Sequence, residues 1–174
     1  MDRIEELKND LENYYKEIKA KIEELKKKEP KKRWRAKRNE TYYLIYGDLN
    51  VANSVEGFNS VDDARYKYRN HFKTYEQAKK VAERIKIYME LKDLAEGLNG
   101  GKKIDWNNRD ERKYSIIYDY AWKKIRQLEI VSYRDIVQIY CRDIGQIYCL
   151  DKRFLEIAKE RIGEDRLKKL FEEE

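Results

Sequence analysis

The chain has little of what most catalytic, secreted or membrane proteins depend on. One histidine, His71, and two cysteines, Cys141 and Cys149, serve all 174 residues. These are too few, and wrongly spaced, for a structural zinc site. A catalytic triad or zinc hydrolase would want more partners than His71 offers. There is no Gly-rich phosphate loop and no nucleophile elbow, so no catalytic residue, metal or cofactor is expected. A single proline and seven glycines leave little room for long irregular loops. No apolar run approaches the ~18 residues that span a bilayer. Met1-Asp2-Arg3-Ile4-Glu5-Glu6 has neither the apolar core nor the cleavage site of a signal peptide. The expectation is a cytoplasmic protein with reduced thiols and no membrane partner; a Cys141–Cys149 bridge would need an oxidising setting.

What the chain has in abundance is charge and tyrosine. Charged residues make up 43%, a level that suits disorder, but 15 tyrosines and 13% aromatics argue for a folded core. The charge is concentrated. Between Lys26 and Arg38 lie nine basic residues and one acid, Glu29, a net +8. The whole chain carries +6, so everything else sums to −2.

Three segments follow from this pattern. Residues 1–29 form an N-terminal coiled-coil helix, in which Ile4, Leu7, Leu11, Tyr14, Ile18 and Leu25 fall on alternating three- and four-residue steps. Only Lys21 breaks the seam, and Ile22 lies beside it. Such a stripe wants cover, either from its own copy in a homo-oligomer or from the body of the domain. Pro30 ends the helix. Residues 30–40 are a basic strap, and residues 41–174 an α+β domain.

Within that domain, Thr41–Tyr46 and Val51–Val55 read as a hairpin about the turn Gly47–Asn50. Asn59–Tyr68 is ambiguous between a short strand and a helical turn. Thr74-Tyr-Glu-Gln77 is a capping box. It opens a helix whose buried stripe is Ala78, Val81, Ala82, Ile85, Met89, Leu94, Ala95 and Leu98, stopped by Asn99-Gly100-Gly101. Lys113–Ala121 and Arg126–Tyr133 make a second strand pair. Asp151 caps a helix with Phe154, Leu155, Ala158 and Ile162 inward, and Leu167, Leu170 and Phe171 follow in a short one. Phe72-Lys73-Thr74 matches Cys149-Leu150-Asp151 at an offset of 77, and Tyr43–Tyr46 matches Tyr114–Tyr118 at about 71. A ββα unit present twice, over 41–101 and 112–172, accounts for both. Gln138-Ile-Tyr-Cys-Arg-Asp143 also recurs as Gln146-Ile-Tyr-Cys-Leu-Asp151, the mark of a local duplication that lengthens a hairpin.

Candidate binding residues lie in the strap. Lys31, Lys32, Arg33, Arg35, Lys37 and Arg38 would neutralise phosphates, and Trp34 between two arginines would stack on a base. The same run also suits an acidic protein surface or a solvated linker, and Trp34 suits pinning the start of the domain. His71 reads as a surface or capping residue, and Asp62-Asp63 as turn formers. Asp105, Asp110 and Glu111 with Lys113 resemble a nuclease set, but no strand is expected to carry them.

Trp34, Glu40-Thr-Tyr-Tyr-Leu-Ile45, Asp63-Ala-Arg65-Tyr66 and Asn70-His-Phe72-Lys-Thr74 with Gln77-Ala78 together resemble a group of uncharacterised phage and prophage proteins of Gram-positive bacteria. The stretch from Gly145 to Phe171 is similar to the same group. Arg69 and His71 depart from its pattern of Gly before the Asn and a small residue after it. The resemblance implies a phage protein in a bacterial cytoplasm that binds a host protein or ribonucleoprotein, as an anti-CRISPR inhibitor does. A nucleic-acid-binding accessory protein (RNA or DNA) and a purely structural oligomer are the other readings.

Overall fold

The computed structural model describes residues 3–28, 33–131 and 146–171. The chain divides into two units, Met1–Arg35 and Ala36–Glu174. The fold is α+β, with an N-terminal helix and two small antiparallel sheets. Among the described residues no helix is long and apolar enough to cross a membrane.

The first unit contains α1, Arg3–Lys28. Lys, Glu and Leu dominate it, all good helix formers, and neither glycine nor proline interrupts it.

The second unit opens with β1 (Thr41–Ile45) and β2 (Val51–Val55), paired antiparallel from Thr41↔Val55 to Ile45↔Val51. Asp48 closes the turn, its carboxylate accepting from the Asn50 N–H at 3.0 Å and from Asn50 Nδ2 at 2.7 Å. The ambiguous stretch is helical: α2 spans Ser60–Lys67, and Asn59 Oδ1 accepts from the N–H groups of Val61 and Asp62. Phe72 then pairs with Tyr43 on the other edge of β1. Beside that bridge, the Asn70 amide stands in for a strand, donating to the Ile45 carbonyl and accepting the Ile45 N–H, both at 2.7 Å.

Thr74 caps α3 (Tyr75–Asn99) as expected, accepting from the Gln77 N–H at 3.2 Å. Gly100 ends the helix at φ 59°, a left-handed conformation that suits glycine. The buried face matches the expected stripe in part. Ala78 and Ala82 are buried, then Ile87, Leu91, Leu94 and Ala95, while Ile85 and Met89 are exposed. At ~100° per residue the first pair and the later four lie on roughly opposite faces of the helix. The reason is packing on both sides: α3 touches β1 and β2, and also the second sheet.

That sheet has the order β4-β3-β5, with β3 at Lys113–Asp119, β4 at Lys124–Ile130 and β5 at Tyr148–Cys149. The β3–β4 register runs from Lys113↔Ile130 to Asp119↔Lys124, so β4 begins and ends earlier than the sequence indicates. Asp119 draws the turn tight by accepting from the N–H groups of Ala121 and Trp122. β5 pairs with β3 at Tyr114↔Cys149 and Ser115↔Tyr148. The first Gln-Ile-Tyr-Cys run, Cys141 and the expected hairpin turn lie outside the described residues. Helices α4 (Phe154–Arg161) and α5 (Glu164–Lys168) close the unit. Asp151 does not cap α4 directly. Its Oδ1 accepts from the Arg153 N–H at 2.8 Å in a turn ahead of the helix. Ile87, Leu91, Tyr114, Ile116, Phe154 and Leu167 are among the residues of the main core. Cys149 is a buried free thiol there, and loss of hydration pushes its pKa up.

Candidate functional site

The first sheet packs a polar cluster where an apolar core is usual. β1 contributes Tyr42, the end of β2 contributes Ser54 and Glu56, α2 contributes Asp62 and Arg65, and the segment before α3 contributes His71. Tyr42, Glu56, Asp62 and His71 are all buried. The Tyr42 hydroxyl donates to Asp62 Oδ1 at 2.7 Å and accepts from Arg65 Nη1 at 2.7 Å. Arg65 Nη1 also reaches Ser54 Oγ at 3.2 Å. The second Asp62 oxygen accepts the Gly57 N–H at 2.8 Å. Burial alone would push the Asp62 carboxyl up. The Tyr42 hydroxyl, the backbone N–H groups of Gly57 and Asn59 and the nearby Arg65 outweigh it and hold the pKa below its ordinary value. Asp62 is therefore the buried hub of the loop, beyond a turn former.

His71 is no surface residue. Its Nε2 lies 3.1 Å from Glu56 Oε2, and both side chains are fully closed to solvent. The imidazole stacks on Tyr42 with centroids 3.9 Å apart and meets Tyr66 edge-on at 5.8 Å. Glu56 reaches further. Its Oε1 accepts the Phe58 N–H at 2.8 Å, its carbonyl accepts the Asn39 N–H at 2.9 Å, and its own N–H donates to Glu40 at 3.0 Å. A carboxylate against an imidazole is the orienting half of a proton relay. Enclosed on all sides, the pair ties the residue after β2 to the segment before α3, while the Glu56 backbone holds the chain that leads into β1.

The cluster carries one outward feature. Phe58 sits at φ 56°, a left-handed conformation that bulky residues rarely adopt. The residue is 45% exposed, and the Arg38 guanidinium lies over its ring, 5.7 Å from the centroid. Gly57 precedes it because a Cβ there would crowd Asn59 Nδ2 at 3.3 Å and Asp62 Oδ2 at 3.4 Å.

The strap residues are placed unequally. Lys31 and Lys32 lie outside the described residues. Arg33, Trp34 and Arg35 are half-buried. Lys37 and Arg38 are exposed, in a turn that Glu40 ties back by accepting the Lys37 N–H at 2.7 Å. The compact second unit begins at Ala36, itself buried. Arg38 is brought to the Phe58 face, its guanidinium over the ring.

The helix seam is open on α1: Leu7 is 63% and Leu11 70% exposed, with Ile4, Tyr14 and Ile18 also exposed. The Leu25 side chain lies outside the described residues. Of the acids around Lys113, Glu111 pairs with Lys102, lies 3.9 Å from Lys113 Nζ and accepts the Asp105 N–H at 3.0 Å, while the Asp105 carboxylate accepts the Asn107 N–H at 2.9 Å. Lys113 opens β3, fully buried, its Nζ donating to the Asn108 carbonyl at 2.7 Å. Among the described residues no group of three His, Cys, Asp or Glu side chains is placed to hold a metal ion. Glu56 escapes a sequence reading because it follows β2 without a motif; its one signal is an acid in a run of strand residues. Comparison with protein-family models, curated proteins and solved structures finds no match to this chain.

Proposed function

We propose that the chain is a non-enzymatic binding protein that presents Phe58 and Arg38 to a host protein or ribonucleoprotein. The observation that carries this reading is the conformation of Phe58. A left-handed backbone costs a bulky residue about 1–2 kcal/mol, and here it places an aromatic ring in solvent beneath a guanidinium. Aromatic and arginine side chains are the residues that most often anchor protein interfaces. The buried Glu56, His71 and Asp62 hold the loop in advance, which lowers the ordering cost of binding. The resemblance to phage and prophage proteins supplies the class of target, a bacterial defence component such as a CRISPR ribonucleoprotein, blocked by direct contact in the cytoplasm.

Two finer points belong to this proposal. The α1 seam, exposed at Leu7, Leu11 and Tyr14, supports self-association as a coiled coil. A duplicated unit is supported by matching registers. Tyr43 pairs with Phe72, and Tyr114 with Cys149, each on the outer edge of the first strand of a hairpin. Those positions are the ones related by the 71- and 77-residue offsets.

A second reading, a nucleic-acid-binding accessory protein, draws support from exposed Lys37 and Arg38 beside the rest of the strap. One experiment separates the two. Tagged protein is used as bait in a nuclease-treated lysate of a Gram-positive host, beside Phe58→Asn and Arg38→Gln variants. Asn tolerates the left-handed backbone, so Phe58→Asn keeps the turn and removes the ring. The expected result is a protein retained by the wild type and lost by both variants, with unchanged melting temperatures. Retention by neither, with nucleic-acid binding that weakens steeply with salt, overturns it in favour of the strap.

A further inference from the structure

The exposed stripe of α1 says where a second copy would pack; its charges say in which direction. We infer that two copies of α1 pair antiparallel, each N-terminal half lying on the other's C-terminal half. This rests on the self-association proposed above and adds orientation, register and consequence.

Charge divides along the helix. From Arg3 to Tyr14 four acids, Glu5, Glu6, Asp10 and Glu12, meet two cations, for a net −2. From Tyr15 to Lys28 six lysines meet three glutamates, for a net +3. A parallel pair sets −2 on −2 and +3 on +3. An antiparallel pair sets each acidic half on a basic one. At this spacing the difference acts along the whole interface, and screening by salt reduces it.

Lys21 decides the matter inside the seam. It holds a position where the flanking turns carry Ile18 and Leu25. In a parallel pair, like positions face each other, so Lys21 would meet the second copy's Lys21 in the apolar core. Burying two unpaired ammonium groups together is strongly unfavourable. In an antiparallel pair the two kinds of seam position alternate across the interface. With Leu11 facing Tyr14, Leu7 meets Ile18 and Lys21 falls opposite Ile4, at the end of the interface. There its stem can lie on apolar surface while the ammonium reaches the second copy's Glu5. The flanks are divided: a parallel pair brings Arg3 beside Lys8 of the other copy, two cations, whereas the antiparallel register brings Arg3 beside Glu24 but also Asp10 beside Glu17, so the orientation rests on Lys21 and on the division of charge.

The geometry has a consequence for the strap. A 26-residue helix is about 39 Å long. Antiparallel pairing makes the two chains leave at opposite ends, and in this register the C-terminal ends of the two helices lie about 46 Å apart.

The test uses the full chain. Differently tagged Leu7→Cys and Ile18→Cys proteins are mixed and mildly oxidised, with the parent chain and its native thiols as baseline. The expected product is the mixed Leu7→Cys/Ile18→Cys disulfide, above the Leu7→Cys/Leu7→Cys product. A dominant Leu7→Cys/Leu7→Cys product overturns the orientation and leaves self-association standing. A one-chain mass by light scattering at micromolar concentration, for the wild type, overturns both. Since a new thiol in the seam can weaken the pair, the wild-type dimer is also titrated with salt. Its dissociation constant should rise with ionic strength, and Arg3→Glu, which sets an acid against Glu24, should raise it at low salt by about threefold or more. A dimer that tightens with salt overturns the antiparallel arrangement.

Discussion

At the residue scale, the chemistry of this protein is turned inward. Tyr42, Asp62 and Arg65 form a chain in which each hydrogen bond depends on the next. Removing the Tyr42 hydroxyl leaves the buried Asp62 carboxylate one donor short and the half-buried Arg65 guanidinium one acceptor short. Tyr42→Phe should therefore cost about 1–3 kcal/mol, measured by urea denaturation with an unchanged m-value. The same carboxylate gives a pH signature. Its pKa is depressed in the folded state, so its stabilisation is fully present above the ordinary carboxyl value of ~3.9 and is lost as pH falls through the lower folded value. Melting followed across acid pH should show this loss in the wild type and a smaller one in Asp62→Asn. The sequence marked His71 as a surface or capping residue and Asp62 as a turn former, showed the burial of neither, and missed Glu56. A lone polar residue carries no periodicity, and its burial depends on which donors a distant turn brings to it.

At the element scale, most of what local chemistry dictates was legible. The helix before Pro30, the Thr74 cap, the Gly100 stop and the first hairpin stand where their residues put them. The face of α3 was legible at Ala78, Ala82, Leu94 and Ala95 but not between them. A search for one stripe joined Ala78 and Ala82 to Ile85 and Met89, on the same side of the helix. The structure buries Ile87 and Leu91 instead, because the second half of α3 turns its opposite side to another sheet. Periodicity assumes one buried face, and a helix shared by two layers has two. Ile87→Ala should cost about 2–5 kcal/mol and Ile85→Ala within about 0.5 kcal/mol, compared by thermal or chemical denaturation.

At the scale of the whole molecule, the segments in the sequence and the units of the structure differ by a few residues at the strap. The sequence ends the strap at residue 40, but the second unit takes in the chain from Ala36. Backbone bonds from Asn39 and Glu40 to Glu56 hold those last strap residues. A run of positive charge looks uniform on paper, and only long-range pairing divides it. The position of α3 has a further consequence for how the domain comes apart. With its two halves facing two sheets, neither sheet can be lifted away without stripping one side of the same rod, so the domain has no cheap partial opening through its middle. Backbone amides from about Ala82 to Leu91 should then exchange with deuterium through global unfolding alone. Their protection, read by NMR or mass spectrometry, should equal the full unfolding free energy and fall in step with it as denaturant is added.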